Sequence, residues 1–169
     1  MRAALRRLMA LASIVMLPIP AHAQTRLIVA VGASNTEGKN VSRPWPELLQ
    51  SALRADGYNV RVLNKGVFGE TTDRMVKRLD SAVPNDASLV IFQPGIINDR
   101  RAGIFGREKE MISDARSRLS QRGIKMLPLL GLKSIAGNTF VDRAHFSEAG
   151  HRRVAAYLKP RVEQMLGRP

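Results

Sequence analysis

Residues Leu27 to Asn40 read LIVAVGASNTEGKN, and the change of character halfway along this stretch decides the fold. With Arg26 before it, Leu27–Val31 is a near-continuous apolar run rich in β-branched residues. Such a run suits a strand buried on both faces, the kind found in parallel sheets. Gly32-Ala33-Ser34-Asn35-Thr36 follows at once with small and polar residues. In open parallel sheets, function gathers in the loops beyond the carboxyl ends of the strands. Ser34 is therefore either a turn and capping serine or a hydroxyl placed to react.

The pattern repeats outward from this stretch. After Pro44 and Pro46, Leu48, Leu49, Ala52 and Leu53 fall at helical spacing over Glu47–Arg54, and Gly57 stands just past the end. Val60–Leu63 reads as a second strand. Thr72 is placed to cap a helix over Asp73–Ala82, with Pro84 beyond it. Ser88–Phe92 is a third buried strand. Arg107–Gln121 is a helix with Met111, Ile112, Ala115 and Leu119 on one stripe and Gly123 closing it. Ile124–Leu130 is a fourth strand, and Ser147–Leu166 a last helix containing Pro160. A short fifth strand is expected at Thr139–Val141. Strands alternating with helices, without hairpin signals, predict an α/β domain with a parallel sheet of four to five strands covered on both faces.

The first residues stand outside that pattern. Arg2, Arg6 and Arg7 precede a mainly apolar run over Leu8–Pro20, and Ala21-His22-Ala23 has the A-x-A form of a cleavage site. A basic, then apolar, then small-residue order reads as a secretory signal peptide over residues 1–23, leaving residues 24–169 as one domain. The apolar run is shorter than the roughly 20 residues of a membrane span, so no stable membrane insertion is expected. The periplasm or the medium is the expected destination.

Composition narrows the chemistry. There is no cysteine, which excludes a thiolate nucleophile and any cysteine metal site. The formal charge is +13; without the three N-terminal arginines, 24 Lys and Arg face 14 Asp and Glu. The basic residues are dispersed as on solvated helix faces, and one Trp, two Tyr and five Phe give little to stack bases on, so nucleic acid is not the expected partner.

Four loops at the expected strand ends carry the chemistry. They hold Ser34; Gly66 and Gly69; Asn98 and Asp99; and Asp142 with His145. Taken singly, each has an ordinary reading: a capping serine, turn glycines, an Asx turn, a surface ion pair. Together they match what acyl transfer needs. A serine hydroxyl needs an imidazole to take its proton, and the imidazole needs a carboxylate to fix its tautomer. The tetrahedral intermediate needs N–H donors, each worth roughly 3–4 kcal/mol. Besides His145, residues 24–169 contain only His151, which sits beside Arg152 and Arg153 and reads as part of a solvated helix face.

Set in this order, the residues resemble the SGNH, or GDSL-type, hydrolases. The matching blocks are Gly32-Ala33-Ser34-Asn35, Asn64-x-Gly66-x-x-Gly69, Asn98-Asp99 and Asp142-Arg143-Ala144-His145. The resemblance implies a flavodoxin-like three-layer α/β/α sandwich. It also implies Ser34 as nucleophile, His145 as general base and then acid, and Asp142 as its orienting carboxylate. The oxyanion hole would combine the N–H groups of Ser34 and Gly69 with the side-chain amide of Asn98. No metal or organic cofactor is implied. Two positions depart from the family's pattern. Ala33 stands where an aspartate is usual, and Gly95 lies one residue further from Asn98 than the usual Gly-x-Asn-Asp spacing.

The leading expectation is an exported serine esterase acting on ester or thioester bonds of small acyl groups, with a small-molecule or carbohydrate ester as partner. Short loops suggest an open, shallow site. Carbohydrate O-acetyl groups, lysophospholipids and aryl esters are substrate classes that the resemblance implies. Two alternatives predict different behaviour. A non-catalytic carbohydrate- or envelope-binding module on the same fold would leave Ser34 unreactive, and a basic nucleic-acid binder would show salt-sensitive retention on DNA independent of Ser34.

Overall fold

The computed structural model describes residues 24–104, 106–137, 139–142 and 144–169. The signal-peptide reading of residues 1–23, and Arg143 of the fourth block, lie outside the described residues.

The strands β1 (Arg26–Gly32), β2 (Val60–Gly66), β3 (Ala87–Phe92) and β4 (Lys125–Pro128) form one parallel sheet in the order β2-β1-β3-β4. This is the order of a flavodoxin-like doubly wound sheet over its four strands. β1 shows why its sequence is apolar throughout. Val29 and Val31 point to one helical layer, while Ile28 and Ala30 point to the other. The second layer is built on α2 (Trp45–Ala55) and α8 (Glu148–Leu166), which bury Leu49 and Leu53 against Val154, Leu158 and Val162. The first is built on α3 (Thr72–Lys77), α4 (Leu79–Ala82) and α6 (Glu108–Gln121), around Met75, Leu79, Ala115 and Leu119. Gly57 ends α2 in a Schellman turn, with Tyr58 N–H bonded to Leu53 O at 3.1 Å and Gly57 N–H to Arg54 O at 3.0 Å.

Four expectations change. The helix over 73–82 is two short helices, broken at Arg78, whose guanidinium turns back to the Glu70 carboxylate and to Lys65 O. Its N-cap is Thr71, not Thr72. The Thr72 N–H and hydroxyl are instead taken by buried Asp99, at 2.7 and 2.6 Å. β4 ends at Pro128, which has no N–H to give and is tolerated on an edge strand. Thr139–Val141 adds no fifth strand: Phe140 makes only an isolated antiparallel bridge to Phe146. Half of the chain between β4 and Thr139 is taken by α7 (Leu132–Ala136), too short a connection for a parallel crossover.

His151 is a further correction. It is fully buried, not solvated, because it starts the inward stripe that continues through Val154, Ala155, Leu158 and Val162. Its Nδ1 accepts the Trp45 backbone N–H at 3.1 Å, and the ring meets Phe146 edge-on. Burial lowers its pKa from 6.5 to about 4. The unfolded chain therefore takes up a proton that the fold refuses, so stability present near neutral pH is lost as the pH falls from 6.5 towards 4. The loss over that window is on the order of 3 kcal/mol. His151→Asn, which can still accept the Trp45 N–H, should show a smaller drop in Tm between pH 7 and about pH 4.5 than the parent chain. Equal drops would show that His151 is not the source.

No helix among the described residues is long and apolar enough to cross a membrane.

Candidate active site

At the carboxyl edge of the sheet, a cavity of about 410 Å³ opens between the ends of β1, β3 and β4. Ser34, Gly69, Asn98 and His145 all line it.

Ser34 is the first residue of α1 (Ser34–Glu37), a single turn that leaves β1 directly. A backbone N–H at that position has no intrahelical acceptor and faces outward from the helix start. The Ser34 hydroxyl has no hydrogen-bond partner among the described residues. Ala33, the N-cap, offers no side-chain cap, and its methyl is buried in the core. The turn is held from elsewhere. Asn64 donates its amide to Thr36 O at 2.8 Å and Glu37 O at 3.2 Å, and the Thr36 hydroxyl bonds to Gln93 Oε1 at 2.7 Å. Gly66 lets α1 come this close: a Cβ there would stand 2.1 Å from Glu37 N. The second block thus serves to seat the turn that carries Ser34.

Gly69 lies in the loop after β2 with φ +71°, and Glu70 follows with its carboxylate buried against Arg78. In the third loop, Gly95 is the N-cap of α5 (Ile96–Arg101), and Asn98 stands in that helix's first turn. Here the extra residue of the third block finds its place, since Ile96 begins the helix. A Cβ on Gly95 would meet Glu70 O at 2.4 Å, so only glycine lets the two loops touch. Asn98 donates to that same Glu70 O at 2.8 Å. An amide nitrogen carries two hydrogens, so one remains for the cavity. Asp99, read in sequence as an Asx or capping residue, does cap a helix, but it is α3 in the neighbouring segment.

The fourth loop holds the pair. Asp142 Oδ2 meets His145 Nδ1 at 2.7 Å, while Oδ1 accepts the N–H groups of Ala144 and His145 at 2.6 and 2.7 Å. The His145 contact, aided by the two amides, lowers the Asp142 pKa to about 2, so the carboxylate stays charged throughout the neutral range. With Nδ1 turned to Asp142, the other ring nitrogen is the one free to exchange a proton in the cavity. Phe68 stacks on the imidazole at 6.1 Å between centroids and 22° between planes.

Asn35 was missed by sequence reasoning. Its amide donates to Ala144 O at 2.9 Å and its oxygen accepts the Phe146 N–H at 3.0 Å. It therefore grips the peptides on both sides of His145 and ties them to the turn bearing Ser34. No periodicity marks such a residue; its only signal is a polar amide next to the serine. Among the described residues, no cluster of three or more His, Asp or Glu stands ready to hold a metal ion.

No family model matches the chain. Esterase TesA of Pseudomonas aeruginosa is 30% identical to it over 122 residues, covering 72% of this chain and 60% of that protein. The chain thus spans less than two thirds of that relative's length. Among solved structures, TesA superposes with a TM-score of 0.73 at 20% identity, covering 83% of this chain and 99% of that one. AlinE4, described as an SGNH-hydrolase family esterase, gives a TM-score of 0.62 at 22% identity, covering 87% and 100%. The α/β fold is that of these proteins.

Proposed function

We propose that this chain, a relative of Esterase TesA with the fold of the SGNH hydrolases, is a serine esterase that works through an acyl-enzyme. The observation that carries the reading is one arrangement: His145, oriented by Asp142, lines the same cavity as the unengaged Ser34. Ser34 Oγ attacks the ester or thioester carbonyl, and His145 takes the hydroxyl proton. The N–H groups of Ser34 and Gly69 and the amide of Asn98 stabilise the oxyanion. His145 then protonates the leaving alkoxide or thiolate, and water, deprotonated by His145, releases the acid and frees Ser34.

The walls of the cavity include Phe68, Ile97, Leu130, Leu132 and Phe140. An apolar wall rewards each buried methylene by about 0.8 kcal/mol, so butyryl esters should be better substrates than acetyl esters. A panel of p-nitrophenyl acetate, butyrate and octanoate tests the function. Hydrolysis that is lost in both Ser34→Ala and His145→Ala supports it. No turnover of any member by folded protein would sink it.

Asn35 acts here as a positioning residue. In Asn35→Asp, one oxygen can still accept the Phe146 N–H, but the other confronts Ala144 O. The expected result is a fall in kcat of about a hundredfold with KM little changed, the signature of a displaced base. A kcat within about threefold of the parent would remove the tether from the mechanism.

Export is part of the proposal and rests on the Arg2, Arg6, Arg7 cluster, the apolar run after it and Ala21-His22-Ala23. A mature N-terminus at Gln24, read by Edman degradation of the secreted or periplasmic protein, is the expected result.

A further inference from the structure

Five large apolar side chains are exposed among the described residues: Val67 at 44%, Phe68 at 55%, Ile97 at 39%, Leu130 at 46% and Val141 at 51%. Scattered singly, such residues are ordinary. These are not scattered. Phe68, Ile97 and Leu130 line the cavity, Val67 precedes Phe68, and the Val141 backbone N–H is bonded to His145 O. All five stand on loops or a helix start at the carboxyl edge of the sheet, around the mouth of the cavity.

The charged side chains that line the cavity are basic. They are Arg100, Arg101 and Lys133, and among the described residues the lining contains no carboxylate. Lys39 Nζ lies 4.4 Å from the centroid of the Phe68 ring. The nearby acids are few: Asp142 is engaged by His145, Glu37 is exposed on α1, and the Glu108 carboxylate lies within reach of Arg100's field. The chain beyond residue 23 carries 24 basic against 14 acidic residues, so the long-range field has the same sign.

We propose that the mouth of the cavity docks on an anionic lipid surface and that the esterase draws its substrate from that surface. Apolar tips ringed by cations fit the boundary between acyl chains and charged headgroups, where apolar burial and attraction to anionic lipid act together. Such docking places the cavity opening against the lipid, so an acyl ester enters without crossing water. The draw of substrate rests on the esterase reading; the docking does not.

The test uses the Ser34→Ala chain, so that binding is measured without turnover. It is sedimented with vesicles of phosphatidylcholine alone and with about one third phosphatidylglycerol. The expected result is partitioning at least about tenfold stronger onto the anionic vesicles. Adding Arg101→Gln with Lys133→Gln should lower that partitioning about thirtyfold, and adding Leu130→Ser with Val141→Ser about tenfold. Thermal melts confirm that each variant is folded. Equal partitioning onto both vesicles, or no partitioning, would overturn the proposal. So would binding that the cation changes weaken and the apolar changes leave alone, because that is the behaviour of any polycation, including one that holds nucleic acid. Reversible self-association that Leu130→Ser abolishes, without vesicle binding, would assign the face to a second copy of the chain. Hydrolysis of p-nitrophenyl butyrate by the unaltered chain, without vesicles, is run beside these assays. Its absence would sink the esterase reading and leave the docking result standing.

Discussion

Ser34→Ala will lower kcat on p-nitrophenyl butyrate by about 10⁴- to 10⁶-fold while leaving the fold intact. The size follows from what the hydroxyl does. It is the atom that forms the acyl-enzyme, and without it the cavity can only hold an ester near an imidazole and a set of N–H donors. The residual rate over water is then that of the oxyanion site and binding alone. The fold should survive because the Ser34 side chain makes no hydrogen bond among the described residues. The turn is held instead by Asn64, Thr36 and Gln93. KM should change little, since the apolar wall and the backbone donors are untouched. A loss of less than about tenfold would mean that another group carries the nucleophile's part.

Asp142→Asn is expected to cost about 10³- to 10⁴-fold in kcat, and its geometry says why. The carboxylate has two distinct tasks. Oδ1 takes the N–H groups of Ala144 and His145, which shapes the loop, and Oδ2 faces His145 Nδ1. An asparagine keeps its oxygen on the two backbone donors, because its amide group cannot accept from them. Its NH₂ is then turned to Nδ1, which must become an acceptor. The ring proton moves to the other nitrogen, the one required to receive the Ser34 proton. Loop and fold persist, yet the base is blocked. The check is kcat together with Tm: a large fall in the first and a small change in the second. If kcat and Tm fell together, Asp142 would be only a structural cap.

How much of this was legible before any coordinates depended on the length and locality of each signal. β1 is a continuous apolar run, and α2 and α6 are long, periodic helices; the three are ended by Gly32, Gly57 and Gly123, and local pattern locates them. α1, α5 and α7 run four to six residues, barely more than a turn, so they contain no periodicity to read. At the break, Arg78 turns its guanidinium to a carboxylate eight residues away, a contact no helical stripe encodes. His151 was the avoidable miss. Its neighbours Arg152 and Arg153 suggested solvent, although the stripe through Val154 and Leu158 extended back to it. Gly69 and the Asp142–His145 pair sit in loops and Ser34 opens a single turn directly after β1, and it is their order together, not any one of them, that marks them as candidates in the sequence. Asn35 could not, since its partners Ala144 and Phe146 offer only backbone groups, 109 and 111 residues away. The shifted Gly95 is likewise explained only in three dimensions, by its contact with Glu70 O.

The most direct measurement is mass spectrometry of the chain after reaction with a fluorophosphonate, with peptide mapping of the adduct. The expected result is one adduct per chain on Ser34, absent from Ser34→Ala. Folded protein that takes no adduct and turns over no ester would instead be the binding module of the same fold, and an adduct on any other residue would contradict Ser34 as the nucleophile.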